Sequence, residues 1–351
     1  MATSLFIVQG EGKGHMSQAM ALKEHLEEAG HTVVGLFLGT RPKHDIPDYF
    51  TEGFADSLHT FESPWFLRTP NKKGIYIGRT LLFHLLRLPR YISEAHRIRR
   101  EIDLLRPDVV FNFYDVVGAL ALRKTASGIR RIGIGHHFLL HFDNYRCDKG
   151  SLWHRWLLKR LTGLIILSCD RVLALSFREL PGSSVIEVVP PLVRRRFREM
   201  QYKPGDRYLA YFLNEGLLYD LVLLARKLPE FQVDLFTSLK PNMELPAGIT
   251  LHPFDADKFS ILMASCRGLI TSAGFDAAAE AAYHGIPLVV IPTRNHFEQA
   301  CNGADIMRSG IGVAVSKIEK GMFEDMNPAE PGRYRFWVDR AAELMLKVVE
   351  E

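Results

Sequence analysis

Along this chain, short apolar runs alternate with longer stretches of helical period. Residues 5–9 form such a run, glycines follow, and an amphipathic helix over 15–29 is stopped by Gly30 acting as a C-terminal cap. Residues 31–38 read as a second strand. Residues 39–75 carry Pro42, Pro47, Pro64 and Pro70 and read as loop. A helix over 79–105, broken near Pro89, precedes a strand at 109–113. A further helix leads to strand 131–135, and strands follow near 171–175 and 185–189. Alternation of this kind predicts a parallel sheet with helices on both faces.

Pro190 and Pro191, next to Arg194, Arg195 and Arg196, interrupt the pattern and read as an interdomain linker. A second cycle then begins. Strands are expected at 208–212, 231–236, 249–252, 268–271, 286–291 and 311–315. Helices are expected at 215–227, around 261–264, and at 275–284 and 296–309, with an amphipathic helix at 335–351. The expected organisation is an α/β chain of two Rossmann-like, doubly wound domains facing across a cleft. Residues 1–190 form the first, 191–334 the second, and 335–351 a terminal helix.

A length of 351 residues fits two domains, and 24% charged residues is an ordinary globular share. The four cysteines show no CxxC pair and no dense framework. That argues against a metal site or disulfide scaffold and points to a reducing cytoplasm. No run approaches the ~18 uncharged apolar residues of a membrane span, and the N-terminus lacks the charged and apolar regions of a signal peptide. The net charge of +4 is unevenly spread. Arg68, Lys72, Lys73, Arg79, Arg87, Arg90, Arg97, Arg99 and Arg100 lie between 65 and 100 against Glu94 alone, interleaved with leucines and aromatics. Such a surface suits anionic lipid or phosphate, or it is a basic helix whose apolar side is core.

Gly10-Glu11-Gly12-Lys13-Gly14-His15 joins the first strand to the first helix, a geometry that brings backbone amides and a helix N-terminus to an anion. A nicotinamide fingerprint would need a third glycine where His15 stands and an acid closing the second strand, where this chain has Leu36-Phe37-Leu38-Gly39-Thr40. A phosphate-binding P-loop needs Ser or Thr after its lysine, and none follows Lys13. Two readings stay open: a loop that projects His15 into a cleft, or a plain strand–helix turn.

The stretch 271–287 carries more. Its strand ends in Ser272, Ala273, Gly274 and Phe275, whose amides open a helix and can hold a diphosphate. Glu280, six residues past Gly274, lies nearly two turns on and close to the same face, where a carboxylate can accept both hydroxyls of a ribose. The alternative is a solvated helix position. Arg294 follows the next strand, and Glu298 and Gln299 begin the next helix, placed for sugar hydroxyls. Asp255-Ala256-Asp257 reads as an N-cap and turn rather than a metal motif.

Together these motifs resemble the GT-B nucleotide-sugar glycosyltransferases, most nearly the MurG-type branch (glycosyltransferase family 28) with a Gly-Glu-Gly-x-Gly-His loop. The resemblance runs through the loop at 10–15, Pro107-Asp108-Val109-Val110 leading to Asp115, Gly133-Ile134-Gly135-His136-His137, the 271–287 motif and Phe297-Glu298-Gln299. It implies His15 at the acceptor side, Ser272, Ala273 and Gly274 at the diphosphate, Glu280 at the ribose, Glu298 and Gln299 at the donor sugar, and Phe254 against the base. It also implies a terminal helix packed back on the first domain, inversion without metal, and a UDP-type donor as substrate, with no cofactor. His136 and His137 stand where MurG has another pattern, so the acceptor is expected to differ from the peptidoglycan lipid intermediate.

The expected chemistry is transfer of a sugar to a hydroxyl of a glycan or lipid-linked acceptor. His15 is the base, Asp115 its orienting carboxylate, and helix amides with Arg294 the stabilisers of the leaving diphosphate. His136 and His137 face the acceptor. The expected setting is the cytoplasm or the inner membrane face, with no nucleic-acid partner. An epimerase or hydrolase on the same fold, or a nucleotide-sugar-binding protein without turnover, are the alternatives.

Overall fold

The computed structural model describes all residues except 12, 43–45, 56, 66, 68–75, 144, 146–151, 213, 214, 240–242, 295, 325 and 327–330. The described residues form two parallel sheets. The first contains β1 (Thr3–Gln9), β2 (Thr32–Thr40), β3 (Leu58–Glu62), β4 (Val109–Phe113), β5 (Arg130–Gly135), β6 (Arg171–Leu175) and β7 (Ile186–Val189), in the order β3-β2-β1-β4-β5-β6-β7. The second contains β8 (Tyr208–Tyr211), β9 (Val233–Phe236), β10 (Ile249–His252), β11 (Leu269–Thr271), β12 (Leu288–Val290) and β13 (Val313–Ala314), in the order β10-β9-β8-β11-β12-β13. Each sheet reverses its winding once, between β1 and β4 and between β8 and β11. A reversal of this kind opens a crevice at the carboxyl ends of the strands.

Alternation explains why both faces are covered. Phe6 and Val8 of β1 enter one core cluster, while Leu5 and Ile7 enter another with Tyr91, Ile98 and Ile102. The first cluster is shared between the two sheets. It runs from Phe6, Val8 and Leu22 through Ala278, Ala281 and Ala282 to Leu209, Leu269 and Leu288. The helices that bridge it are α1 (Lys13–Glu28) and α10 (Phe275–Tyr283), whose alanines allow close approach.

Between the sheets, 190–207 carries only the short helix α7 (Arg195–Arg198). The tail is two helices, α12 (Pro331–Asp339) and α13 (Ala341–Glu350), broken at Arg340 rather than continuous. Helix α13 lies on the first sheet's side: Arg130 donates to the carbonyls of Val348 and Val349 at 3.1 and 2.6 Å.

Residues 39–75, expected as loop, hold α2 (Asp48–Gly53) as well as β3. The strand carries little apolar signal in the sequence because it is an edge strand with His59 and Thr60 exposed. The break expected near Pro89 in the helix at 79–105 falls at Arg87, between α3 (Ile77–Leu86) and α4 (Leu88–Leu105), with Pro89 in the first turn of α4, where its missing N–H costs nothing. Cys169 and Cys266 are free thiols, whereas Cys301 is disulfide-bonded, a bridge that spacing along the chain does not announce because pairing depends on approach in space.

Candidate functional site

The two crevices face each other, and the loops that close β1, β4, β5, β11 and β12 supply the polar residues between them. Two glycines of the first loop have steric reasons that need no ligand. A Cβ on Gly10 would stand 2.6 Å from the carbonyl of Gly39, to which the Gly10 amide donates at 2.8 Å. A Cβ on Gly14 would stand 2.6 Å from Asp276 Oδ2, so glycine is what lets the start of α1 meet the start of α10. Gly12 lies outside the described residues.

His15 sits in the first turn of α1, in the cleft. Its Nδ1 is 3.4 Å from Gln18 Oε1, and Gln18 Nε2 donates to Asp276 Oδ1 at 3.0 Å. Because Gln18 turns its amide nitrogen to Asp276, its oxygen faces the imidazole. His15 therefore carries its proton on Nδ1 and presents the Nε2 lone pair. Burial first, then the neighbouring His137, lowers the His15 pKa to about 4, with Glu298 opposing. The imidazole is neutral throughout the physiological range. Asp276, the other end of this chain of bonds, has its carboxyl pushed up to about 7 by burial.

The structure does not bring Asp115 to His15. Asp115 is fully buried and caps α5 (Val116–Leu122): Oδ1 accepts from the Gly118 amide at 2.7 Å and Oδ2 from Ser63 Oγ at 2.5 Å. An aspartate between a strand and a helix is an N-cap signature, and that signal was present in the sequence. Gln18, which takes the orienting position, was missed because one helical glutamine carries no motif.

His136 is likewise committed to structure. Its Nδ1 meets the carbonyl of Leu175 at 2.9 Å, its Nε2 meets Tyr145 Oη at 3.0 Å, and its ring lies against Phe275 and Phe177. With both nitrogens used, it has nothing left for an acceptor. His137 differs. It reaches across the cleft, its Nε2 3.4 Å from Glu298 Oε2 of the second domain, and its Nδ1 is buried without a partner. Burial works to raise the Glu298 carboxyl, but His137, His296 and His15 together hold it well below the carboxylate range. His15, His137 and Glu298 thus form one cluster built from both domains.

On the other side of the cleft, Gly274 is the N-cap of α10 and makes no side-chain cap. Its own amide is taken by the Ser272 carbonyl at 2.6 Å, so the amides left for an anion are those of the first helical turn, from Phe275 on. The Phe275 side chain faces inward, stacked on Phe177 at 4.4 Å. Glu280 is buried, not solvated. Arg194 Nε and Nη2 both lie 2.8 Å from its Oε1, and the guanidinium also lies over Phe197. Burial pushes the Glu280 carboxyl up, and Arg194 offsets part of that. In the sequence Arg194 belongs to a linker charge cluster; only the fold shows it as the partner of the ribose candidate.

Phe254 is exposed at the end of β10, with Lys13 Nζ 2.9 Å above its ring. Arg294 is exposed in the loop after β12. Gln299 uses its Oε1 to accept from the Thr293 amide at 2.8 Å, leaving Nε2 for a ligand. Asp255 caps α9 (Ala256–Met263) through the amides of Asp257 and Lys258. A small cavity beside His137, Glu298 and Asn302 measures about 10 Å³, room for one water.

The chain matches the family model described as glycosyl transferase family 1 over residues 2–328. A Methanosarcina acetivorans protein described as an uncharacterized glycosyltransferase is 25% identical, covering 90% of this chain and 84% of its own length. The UDP-N-acetylglucosamine–N-acetylmuramyl-(pentapeptide) pyrophosphoryl-undecaprenol N-acetylglucosamine transferase of Lacticaseibacillus casei is 24% identical over 89% of this chain and 85% of its own. Among solved structures, MurG of Acinetobacter baumannii superposes with a TM-score of 0.58 at 16% identity, covering 99% of this chain and 100% of its own. The glycosyltransferase SnogD of Streptomyces nogalater superposes with a TM-score of 0.59 at 16% identity, covering 99% of each chain. The chain belongs to glycosyl transferase family 1 and is a glycosyltransferase of the GT-B type.

Proposed function

We propose that the protein transfers a sugar from a nucleoside-diphosphate donor, of UDP type, to a hydroxyl of a glycan or lipid-linked acceptor, with inversion and without metal or cofactor. The observation that carries this reading is the placement of the neutral His15 imidazole opposite the uncapped start of α10. The acceptor oxygen forms a bond to the anomeric carbon as the bond to the diphosphate breaks. The acceptor proton passes to His15 Nε2, and the charge that develops on the diphosphate is met by the α10 amides, with Arg294 and Lys13 at the rim. Glu280 holds the ribose, Phe254 the base, and Glu298 and Gln299 the sugar. His137, tied to Glu298, couples the donor sugar to the acceptor side.

The test is release of UDP from UDP-N-acetylglucosamine and related donors, with water as default acceptor. Slow release supports the transferase chemistry of this site. A nucleotide-sugar-binding protein would bind the donor and release nothing.

The acceptor is proposed to be reached at a membrane face. Among the described residues no helix is long and apolar enough to cross a membrane. Helix α3 nevertheless leaves Leu82, Leu85 and Leu86 61%, 64% and 75% exposed, a contiguous apolar strip. Its basic flank is partly neutralised, since Glu62 pairs with both Arg87 and Arg90. The apolar strip, more than charge, is therefore expected to carry the contact. Co-sedimentation with anionic vesicles should drop severalfold in a Leu82→Ser/Leu85→Ser/Leu86→Ser variant and persist in raised salt. Loss of binding by salt alone would reverse that ranking.

A further inference from the structure

The residue that ties the two histidines together is Tyr114, which no motif singles out. It stands just past β4 at φ +63°, the left-handed region that a side chain rarely adopts. The turn is held there by its neighbours. Asn112 Nδ2 donates to the Asp115 carbonyl at 2.9 Å, and the Asp115 amide donates to Asn112 Oδ1 at 2.8 Å. The strained backbone delivers a ring that stacks on His137, centroids 4.5 Å apart and planes 27° apart, and on His15, 5.5 Å and 21°. Phe138 meets the same ring edge-on. The phenol oxygen is buried with no hydrogen-bond partner, and the Glu298 carboxylate lies near enough to bear on it electrostatically.

Two costs thus meet in one side chain. Glycine at this position would avoid the backbone strain, and phenylalanine would avoid the stranded hydroxyl. Both are borne where His15, His137 and Glu298 converge, which is where strain and unmet polar groups coincide with function rather than packing. We propose that Tyr114 is a positioning residue for His15, its ring fixing the imidazole plane, and that its hydroxyl donates a hydrogen bond to a hydroxyl of the sugar when the cleft is filled. This rests on the glycosyl-transfer reading of His15. The phenol then finds in the ligand the acceptor that the protein does not supply, beside the carboxylate of Glu298.

Two substitutions separate ring from hydroxyl. Tyr114→Phe should keep the upfield, ring-current-shifted proton signals of His15 in the NMR spectrum and bind UDP within twofold of the wild type. It should lose about tenfold in turnover of UDP-N-acetylglucosamine, the loss of one hydrogen bond. Tyr114→Leu should lose the shifted His15 signals and about a hundredfold in turnover. It should also move the acid limb of the rate profile upward as water reaches the imidazole. Full turnover in Tyr114→Phe would overturn the role of the hydroxyl, and full turnover with an unmoved acid limb in Tyr114→Leu would overturn the role of the ring. If the wild type turns over no donor, the transferase chemistry of this site fails, and the titration of His15 followed by NMR still decides whether Tyr114 positions it: an unchanged His15 titration in Tyr114→Leu overturns that role.

Discussion

Replacing His15 with alanine should reduce turnover of a UDP-sugar by about 10²–10⁴-fold, the usual contribution of a positioned base, while leaving UDP affinity within about twofold. The split follows from the geometry. His15 stands on the first domain, with Nδ1 tied to Gln18 and Nε2 left as the basic nitrogen. Apart from Lys13 at the rim, the groups proposed for the nucleotide sit on the second domain and its linker. A histidine lowered to about 4 is always in its basic form at neutral pH, but as a base it is weak. One further charge corrects this when the site is occupied: the donor diphosphate, whose negative charge adds to the raising effect that Glu298 already exerts. The wild-type rate should accordingly be flat between about pH 6 and 8, with its acid limb below the 6.5 of a free imidazole. A His15→Ala enzyme that retains the wild-type rate would remove the base from the mechanism.

The second large effect is expected at Glu280. Its carboxylate and the Arg194 guanidinium form a buried pair, 2% and 12% exposed. Removing one partner of such a pair strands the other and costs about 3–5 kcal/mol. Glu280→Ala should therefore lower the thermal midpoint clearly and lose at least about tenfold in UDP affinity, since a carboxylate holding a ribose diol makes charge-assisted bonds worth roughly 1.5–3 kcal/mol each. Stability and binding can be separated. The double substitution Arg194→Met/Glu280→Leu removes both charges and should recover most of the stability, because a buried pair replaced by apolar side chains is often neutral. It should not recover UDP binding. If it does, Glu280 serves only to hold the linker against α10, and the ribose is held elsewhere. The double variant shows the distinction by melting and titration on the same sample.

The fold was legible because buried parallel strands give continuous apolar runs, and glycines and prolines punctuate them. Gly30, with φ +80°, ends α1 as its sequence context predicts. The start of α10 was legible for the same reason, since a strand closing in small residues has few alternatives. What the sequence hides is pairing across the cleft. Asp115, between a strand and a helix, announces its cap on the Gly118 amide, but nothing in its neighbours says that its other oxygen is taken by Ser63, 52 residues away. Arg194 looks like one of three linker arginines until α10 is packed against it. Tyr114 has no periodic or motif signal, because its meaning lies in a backbone angle and in two imidazoles from other elements.

The most direct measurement is calorimetric titration of the wild-type protein with UDP, GDP, dTDP and NAD. One nucleoside diphosphate, UDP, is expected to bind at a single site, and NAD is expected not to bind. Binding of NAD, or of none of the four, would contradict the assignment of α10 and Glu280 as the donor site.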